Sequence, residues 1–274
     1  MEETGRETRK GDLPEDASAL YRKAFMNFLF FAALNKSLSY AFTWTCESAS
    51  RFSEGTAAKL VNWTVSLVHA LRSSHHSIAS LVEDPSLLSF DERHTVDYAI
   101  KGFREVSLPW SLGYFLWDAI DMPLSGAGFS VTNLMHHAVA SAGAVFVMAT
   151  KKCSIYAFSA IFAELNSVFL ALRAISHLNR SKSGKFYRFF VFPNLLLTFV
   201  YTRIFIHGLA LRQSYRLITK DLPKRKKGEE KKESNNRLDT RTVGVMGTLG
   251  GGAIWVNNIL ILRSLLRLEG WKLV

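Results

Sequence analysis

His136 and His137 stand side by side in NLMHHAVASAGAVFVM, residues 133–148, a run that otherwise avoids polar groups. Imidazole carries protons near neutral pH, and it acts as general base or nucleophile once a carboxylate orients it. Neighbouring side chains on a helix diverge by about 100°. One ring is therefore expected to face a reacting group or ligand while the other anchors the segment. The carboxylates available are Asp118, in GYFLWDAIDMPLSG, and Glu164, in FAELNSVFLALR. Asp118 shares a helix face with Asp121, three residues on. A carboxylate in the middle of an apolar run, as Glu164 is, is a functional hypothesis by default. Its structural alternative is a neutral carboxyl bonded to a neighbouring serine or to backbone.

Four further residues are candidates for binding. Arg203 and His207, in YTRIFIHG, are four apart and share a face. Arg203 is the natural internal partner of Glu164 or Asp118, and a guanidinium also suits a phosphate or carboxylate ligand. His69 belongs to a stripe of Asn62, Ser66, His69, Ser73, His76 and Ser80, spaced alternately by four and three along one helix face. Hydrogen bonding between helices accounts for such serines, but an imidazole without a partner in a span is costly. Asn257, next to Asn258, supplies an amide just after Gly250-Gly251-Gly252. The candidate catalytic set is thus His136, His137, Glu164 and Asp118, and the candidate substrate-binding set is Arg203, His69, His207 and Asn257.

Several chemistries are excluded by what the sequence lacks. The eight histidines supply neither the HxxxH nor the HxxHH boxes of a di-metal lipid hydroxylase. Cys46 and Cys153 form neither a disulfide framework nor a CxxC pair, so no metal is expected. No GxGxxG nucleotide fingerprint stands in context, and no pair of broken helices repeats as in a secondary transporter. Acyl transfer, or binding of a lipid within a helical bundle, suits a polar-lined interior best.

These residues need helices to hold them. Of the 274 residues 48% are apolar and 12% aromatic, and the charges crowd into a few short stretches. Between them lie apolar runs near the roughly 20 residues that a bilayer demands. The runs predict helices over about 24–45, 60–83, 106–124, 133–150, 153–175, 187–211 and 243–265, an all-α membrane protein. Lys36, near the middle of 24–45, argues against burying that first helix. Residues 1–23 are polar and of mixed charge, without a signal-peptide core, and are expected to form a tail outside the bilayer. Residues 266–274 form a second short tail. The net charge of +11 does not mark a nucleic-acid binder, since no reading motif accompanies it. Much of the excess sits in the expected loop 212–242, where it fixes orientation or meets anionic headgroups. Positive-inside places that loop in the cytoplasm.

Taken in order, WTVSLVHAL around His69, GYFLWDAIDM around Asp118, LMHHAVA, FAELNSVFLALR, and YTRIFIHG around Arg203 resemble the TLC-domain family over residues 59–265. The likeness is to its small members, which share DxxD followed by SG, then HH, then a helix bearing E-x-[NS]. The resemblance implies a six-helix bundle or barrel around a hydrophobic tunnel, with one additional helix before it. In the family's ceramide synthases the paired histidines belong to a site that transfers acyl groups from acyl-CoA to a sphingoid base. Carried over, His136 and His137 are acyl-transfer candidates, with Glu164 in the place of a family carboxylate. Those synthases show HD and a second Asp three residues on, whereas Ala163 precedes Glu164 here and Ser167 takes the later position. That departure argues against ceramide synthesis. The small members look like regulators of membrane phospholipid fatty-acid composition and fluidity. The implied partners are membrane phospholipids or fatty acyl groups, with acyl-CoA a candidate co-substrate, no other cofactor and no nucleic acid. The implied place is the plasma membrane or the endoplasmic reticulum. The family also implies a cytosolic C-terminus, opposite to the charge count, so the side of the 212–242 loop stays open.

Overall fold

The computed structural model describes residues 17–47, 54–89, 101–125, 130–150, 153–178 and 184–219, with scattered helical positions between 245 and 267. Every regular element among them is helical. Helix α1 is Ala17–Glu47 and α2 is Glu54–Glu83, followed by a short 3-10 turn at Pro85–Ser89. A π-helical turn, Phe103–Ser107, runs directly into α3, Leu108–Ser125. Helix α4 is Val131–Thr150, α5 is Ser154–Phe162 and α6 is Glu164–Leu178. The last well-described helix, α7, is a composite. Its α-helical pieces Gly184–Phe186, Phe192–Thr198 and His207–Thr219 are joined by π-helical stretches at Tyr187–Val191 and Phe199–Ile206.

Three of these helical runs are long and apolar enough to cross a membrane: Val131–Thr150, Ser154–Leu178 and Gly184–Arg216. Leu, Ile, Phe, Val and Ala dominate them, and two threonine hydroxyls of the last run satisfy carbonyls of their own helix. Thr198 Oγ1 donates to Asn194 O at 2.6 Å, and Thr202 Oγ1 to Thr198 O at 2.8 Å. Pro193 has no N–H to continue the ladder, and a π-helical turn precedes it. Asn194 Nδ2 donates to Phe190 O, one turn back, at 2.7 Å.

The elements extend beyond the predicted bounds in places. Helix α1 begins at Ala17, so part of the expected 1–23 tail is helical. Lys36 lies on its exposed face, while Leu20, Ala24 and Phe31 fill the packed face, so the Lys36 ammonium is not buried in the bundle. Helix α7 continues to Thr219, into the stretch expected to be loop, because GLALRQSYRLIT keeps an amphipathic pattern after its apolar run ends. The remainder of the 212–242 loop, about half of 243–265 and the last residues of the 266–274 tail lie outside the described residues.

Helix α2 runs antiparallel to α3, since Asn62, Ser66 and His69 meet Asp118, Tyr114 and Ser111 in that order. Helix α1 covers this pair. Phe31, fully buried, packs against the rings of Trp110, Tyr114 and Trp117 at centroid distances of 4.6, 5.3 and 6.2 Å. The α1–α3 crossing is close enough to need Gly113. A Cβ there would lie 2.6 Å from Asn27 Cβ, 2.7 Å from Ala24 O and 2.8 Å from Phe28 N. Small residues let helices in lipid approach closely, where packing rather than water exclusion holds them together.

The corner between α4 and α5 turns on Cys153, whose φ of 60° is left-handed. Helices α5 and α6 follow one another directly, broken only at Ala163, so Glu164 starts α6. A helix N-terminus presents free N–H groups and a positive dipole end, which favour a carboxylate.

Candidate functional site

A cavity of about 270 Å³ lies between α3, α4, α5 and α7. That is at the low end of the roughly 300–1,000 Å³ typical of ligand pockets. Its walls are mostly apolar, from residues such as Val139, Ala140, Phe146 and Ile161. Four polar groups that the sequence singles out interrupt them: His136 from α4, Glu164 from α6, and Arg203 and His207 from α7. Three separate helices therefore bring imidazole, carboxylate and guanidinium to one chamber.

Each of these groups is held by its surroundings. Arg203 Nε donates to Asn166 Oδ1 at 3.1 Å, and its Nη2 donates to Ser167 Oγ at 3.0 Å. Asn166, wholly buried, also donates from Nδ2 to Leu195 O at 3.0 Å and to Thr198 Oγ1 at 3.2 Å. It thus ties α6 to α7 and aims the guanidinium. The π-helical stretch Phe199–Ile206 carries Arg203. Such stretches re-aim side chains and frequently occur at functional sites. Asn258 Nδ2 donates to Arg203 O at 3.1 Å, while the neighbouring candidate Asn257 lies outside the described residues. His207 Nδ1 is 2.9 Å from Thr202 O. A carbonyl only accepts, so Nδ1 carries the proton and Nε2 keeps its lone pair.

The other three candidates are not on the cavity wall. Asp118, His137 and His69 lie along the seam between α2, α3 and α4. His137 Nδ1 approaches Asp118 Oδ2 to 3.3 Å, without the alignment of a hydrogen bond. Asp118 Oδ1 accepts from Asn62 Nδ2 at 3.2 Å. Asp118 therefore pairs with His137 and Asn62, and Arg203 with the α6 residues. The adjacent histidines divide as their angular separation requires, His136 on the cavity and His137 turned toward Phe115 and Tyr114 of α3.

His69 is 1% exposed and sits behind the cavity rather than on it. Its Nε2 lies 3.2 Å from both Ser111 Oγ and Ser73 Oγ, and its Nδ1 lies 3.7 Å from Glu164 Oε2. Its ring stacks on Tyr114 at 3.9 Å and 9°. Tyr114 is fixed in turn by a 2.8 Å hydrogen bond with Ser66. His69 can therefore hold Glu164 in place from behind but cannot touch a ligand in the chamber. Beyond Ser73 the buried face of α2 passes through Ser77 and Ser80, and the stripe residue His76 stays partly exposed.

Asn166, Ser167, Tyr114 and Ser111 were not among the candidates. Asn166 carried a readable signal, a primary amide two residues from Glu164 in an apolar run, which needs partners in lipid. Tyr114 and Ser111 carried none, since an aromatic or a serine in a span is ordinary. Among the described residues no group of three His, Cys, Asp or Glu side chains is placed to hold a metal ion.

A chain whose described elements are all helical, with three runs able to cross a bilayer and polar groups from several of them lining one cavity, is an integral membrane protein. The TLC-domain family matches residues 59–265, and the chain belongs to that family. It is 26% identical over 155 residues to TLC domain-containing protein 1 of Gallus gallus, covering 56% of this chain and 60% of that protein. It is 29% identical over 168 residues to TLC domain-containing protein 2 of Danio rerio, covering 61% of this chain and 65% of that protein. The matched stretches span less than two thirds of either relative. No solved structure matches the chain.

Proposed function

We propose that the cavity receives a fatty acyl group of a membrane lipid, and that the protein adjusts phospholipid fatty-acid composition, and with it membrane fluidity, by acyl transfer there. The observation that supports this most is the convergence of His136, Glu164, Arg203 and His207 from three helices on an otherwise apolar chamber. In this reading His136 is the general base. It takes the proton of an acceptor hydroxyl as that oxygen attacks the acyl carbonyl, and returns it to the leaving group, the thiol when acyl-CoA is the donor. Arg203 lies on the same wall, and a guanidinium there stabilises the carbonyl oxygen as it gains charge. Its bonds to Asn166 and Ser167 leave other N–H groups for that task. Glu164, backed by His69, shares the chamber wall with His136, and a carboxylate there favours the imidazolium as it forms. His137 and Asp118 are structural neighbours in this scheme rather than reactants.

A second reading, a non-catalytic lipid binder, draws on the protein partners that Arg203, His207 and Asp118 already have. Lipidomics separates the two in cells lacking the protein, rescued with wild type, His136→Ala or His137→Ala. The catalytic reading expects His136→Ala to fail and His137→Ala to restore the acyl profile at least in part. Full rescue by His136→Ala removes the base and leaves the binder.

A further inference from the structure

On the side of the bundle where α1 crosses the start of α3, a groove of about 590 Å³ is bounded by α1, α2 and the π-helical turn before α3. None of its lining residues belongs to the acyl cavity. Among the described residues that line it are three cations, Arg22 and Lys23 from α1 and Arg72 from α2, against the single carboxylate of Glu105. Glu105 is itself shared, since its Oε1 lies 3.7 Å from Arg104 Nη2. The groove therefore carries an excess of positive charge contributed by two helices that converge in space although they are far apart in sequence.

Two features say what kind of anion fits. The groove stands where the charged turn Phe103–Ser107, with Arg104 and Glu105, gives way to the apolar start of α3, Leu108-Pro109-Trp110. In a bilayer protein such a change of polarity along a helix marks the headgroup level, where basic side chains meet anionic lipid. The groove is also amphipathic, because Met26, Val106 and Pro109 line it beside the cations. Met26 continues into the exposed apolar surface of Phe25, Leu29 and Phe30 on α1. Arg72 is held ready, its guanidinium 4.2 Å from the centroid of the Trp110 ring.

We propose that this groove binds the phosphate of an anionic phospholipid, with Arg22, Lys23 and Arg72 around the headgroup and an acyl chain along Met26 and the exposed face of α1. Helix α1 lies outside the matched TLC domain of 59–265. The site is therefore assembled jointly by the domain and the additional helix, and an anionic lipid there would clamp α1 onto α2. It rests on none of the residues assigned to acyl transfer.

Native mass spectrometry of the full chain in detergent, with equal amounts of phosphatidylglycerol and phosphatidylcholine of the same acyl chains, tests it. Phosphatidylglycerol should be retained in preference, and Arg22→Gln/Arg72→Gln should lower that retention by roughly tenfold. Arg212→Gln/Arg216→Gln, which removes as much charge from α7, should leave it unchanged. Glu105→Gln, which removes the one acid among the described residues of the groove, should raise it severalfold, and it decides the matter if the double variant does not fold. Displacement of the lipid by millimolar inorganic phosphate alone would mark a free-anion site and overturn the lipid assignment. Equal retention of both lipids by the wild type, or no change in Glu105→Gln, overturns the proposal.

Discussion

Two glycines show how differently the two halves of this bundle are built. Gly113, in the seam between α1 and α3, has backbone of the neighbouring helix where its Cβ would be, at 2.7 and 2.8 Å. Gly143, on the α4 wall of the cavity, has nothing within 4 Å of the same position. The seam is filled by rings and hydroxyls: Phe31, Trp110, Tyr114 and Trp117, with His69 bonded to two serines. The cavity has polar groups from three helices and open space between them. One polar set has thus been put to two uses. Where the space is full, Asp118, His137 and His69 pair with one another's neighbours and hold helices together. Where space remains, His136, Glu164, Arg203 and His207 line the open chamber.

That contrast can be broken most directly at Phe31. Phe31→Ala should cost about 3–5 kcal/mol, read as a fall in thermal unfolding temperature in detergent, while acyl-lipid binding per folded molecule is kept. Next in size, His136→Ala should lower acyl transfer by at least about 100-fold, or about 2.7 kcal/mol of barrier. Its unfolding temperature should stay within what about 0.5 kcal/mol allows for a group without a structural partner. A parallel loss of stability would move His136 into the seam class.

The glycines themselves give the sharpest pair, because the same substitution should act with opposite signs. Gly113→Ala should destabilise by about 1–3 kcal/mol through overpacking. Gly143→Ala should stabilise by up to about 1 kcal/mol through helix propensity alone. Gly143→Leu goes further in function but not in stability. Its side chain projects into the chamber and should displace bound acyl lipid, measured by lipid co-purification, at unchanged unfolding temperature. The smallest effect is expected at Ser111→Ala. His69 keeps Ser73 as a partner there, so the cost should be about 1 kcal/mol. A much larger cost would mean that His69 carries the link between seam and cavity through Glu164.

Most of the helices were legible in the sequence because apolar runs of span length, separated by charge, leave little else to form in lipid. The need for interior partners was legible too, since Glu164, Arg203 and the paired histidines are each expensive to leave facing hydrocarbon. Which face of α1 carries Lys36 was not legible, because a sequence does not say which side of a helix points outward. The α7 boundary misled, since an amphipathic helix can outlast its apolar run.

By itself, then, the sequence determined an all-α membrane chain of the TLC-domain pattern, and it determined which side chains would need company. Only the tertiary structure decided who the company was. It paired Asp118 with His137 and Asn62, set His69 behind Glu164, and joined Arg203 to Asn166 and Ser167. It also left His136 facing the cavity while His137 turned into the seam. Spacing along one helix fixes the angle between two side chains. The neighbour each one meets depends on how separate helices cross, and that is set by packing at places such as Gly113 that carry no chemistry of their own.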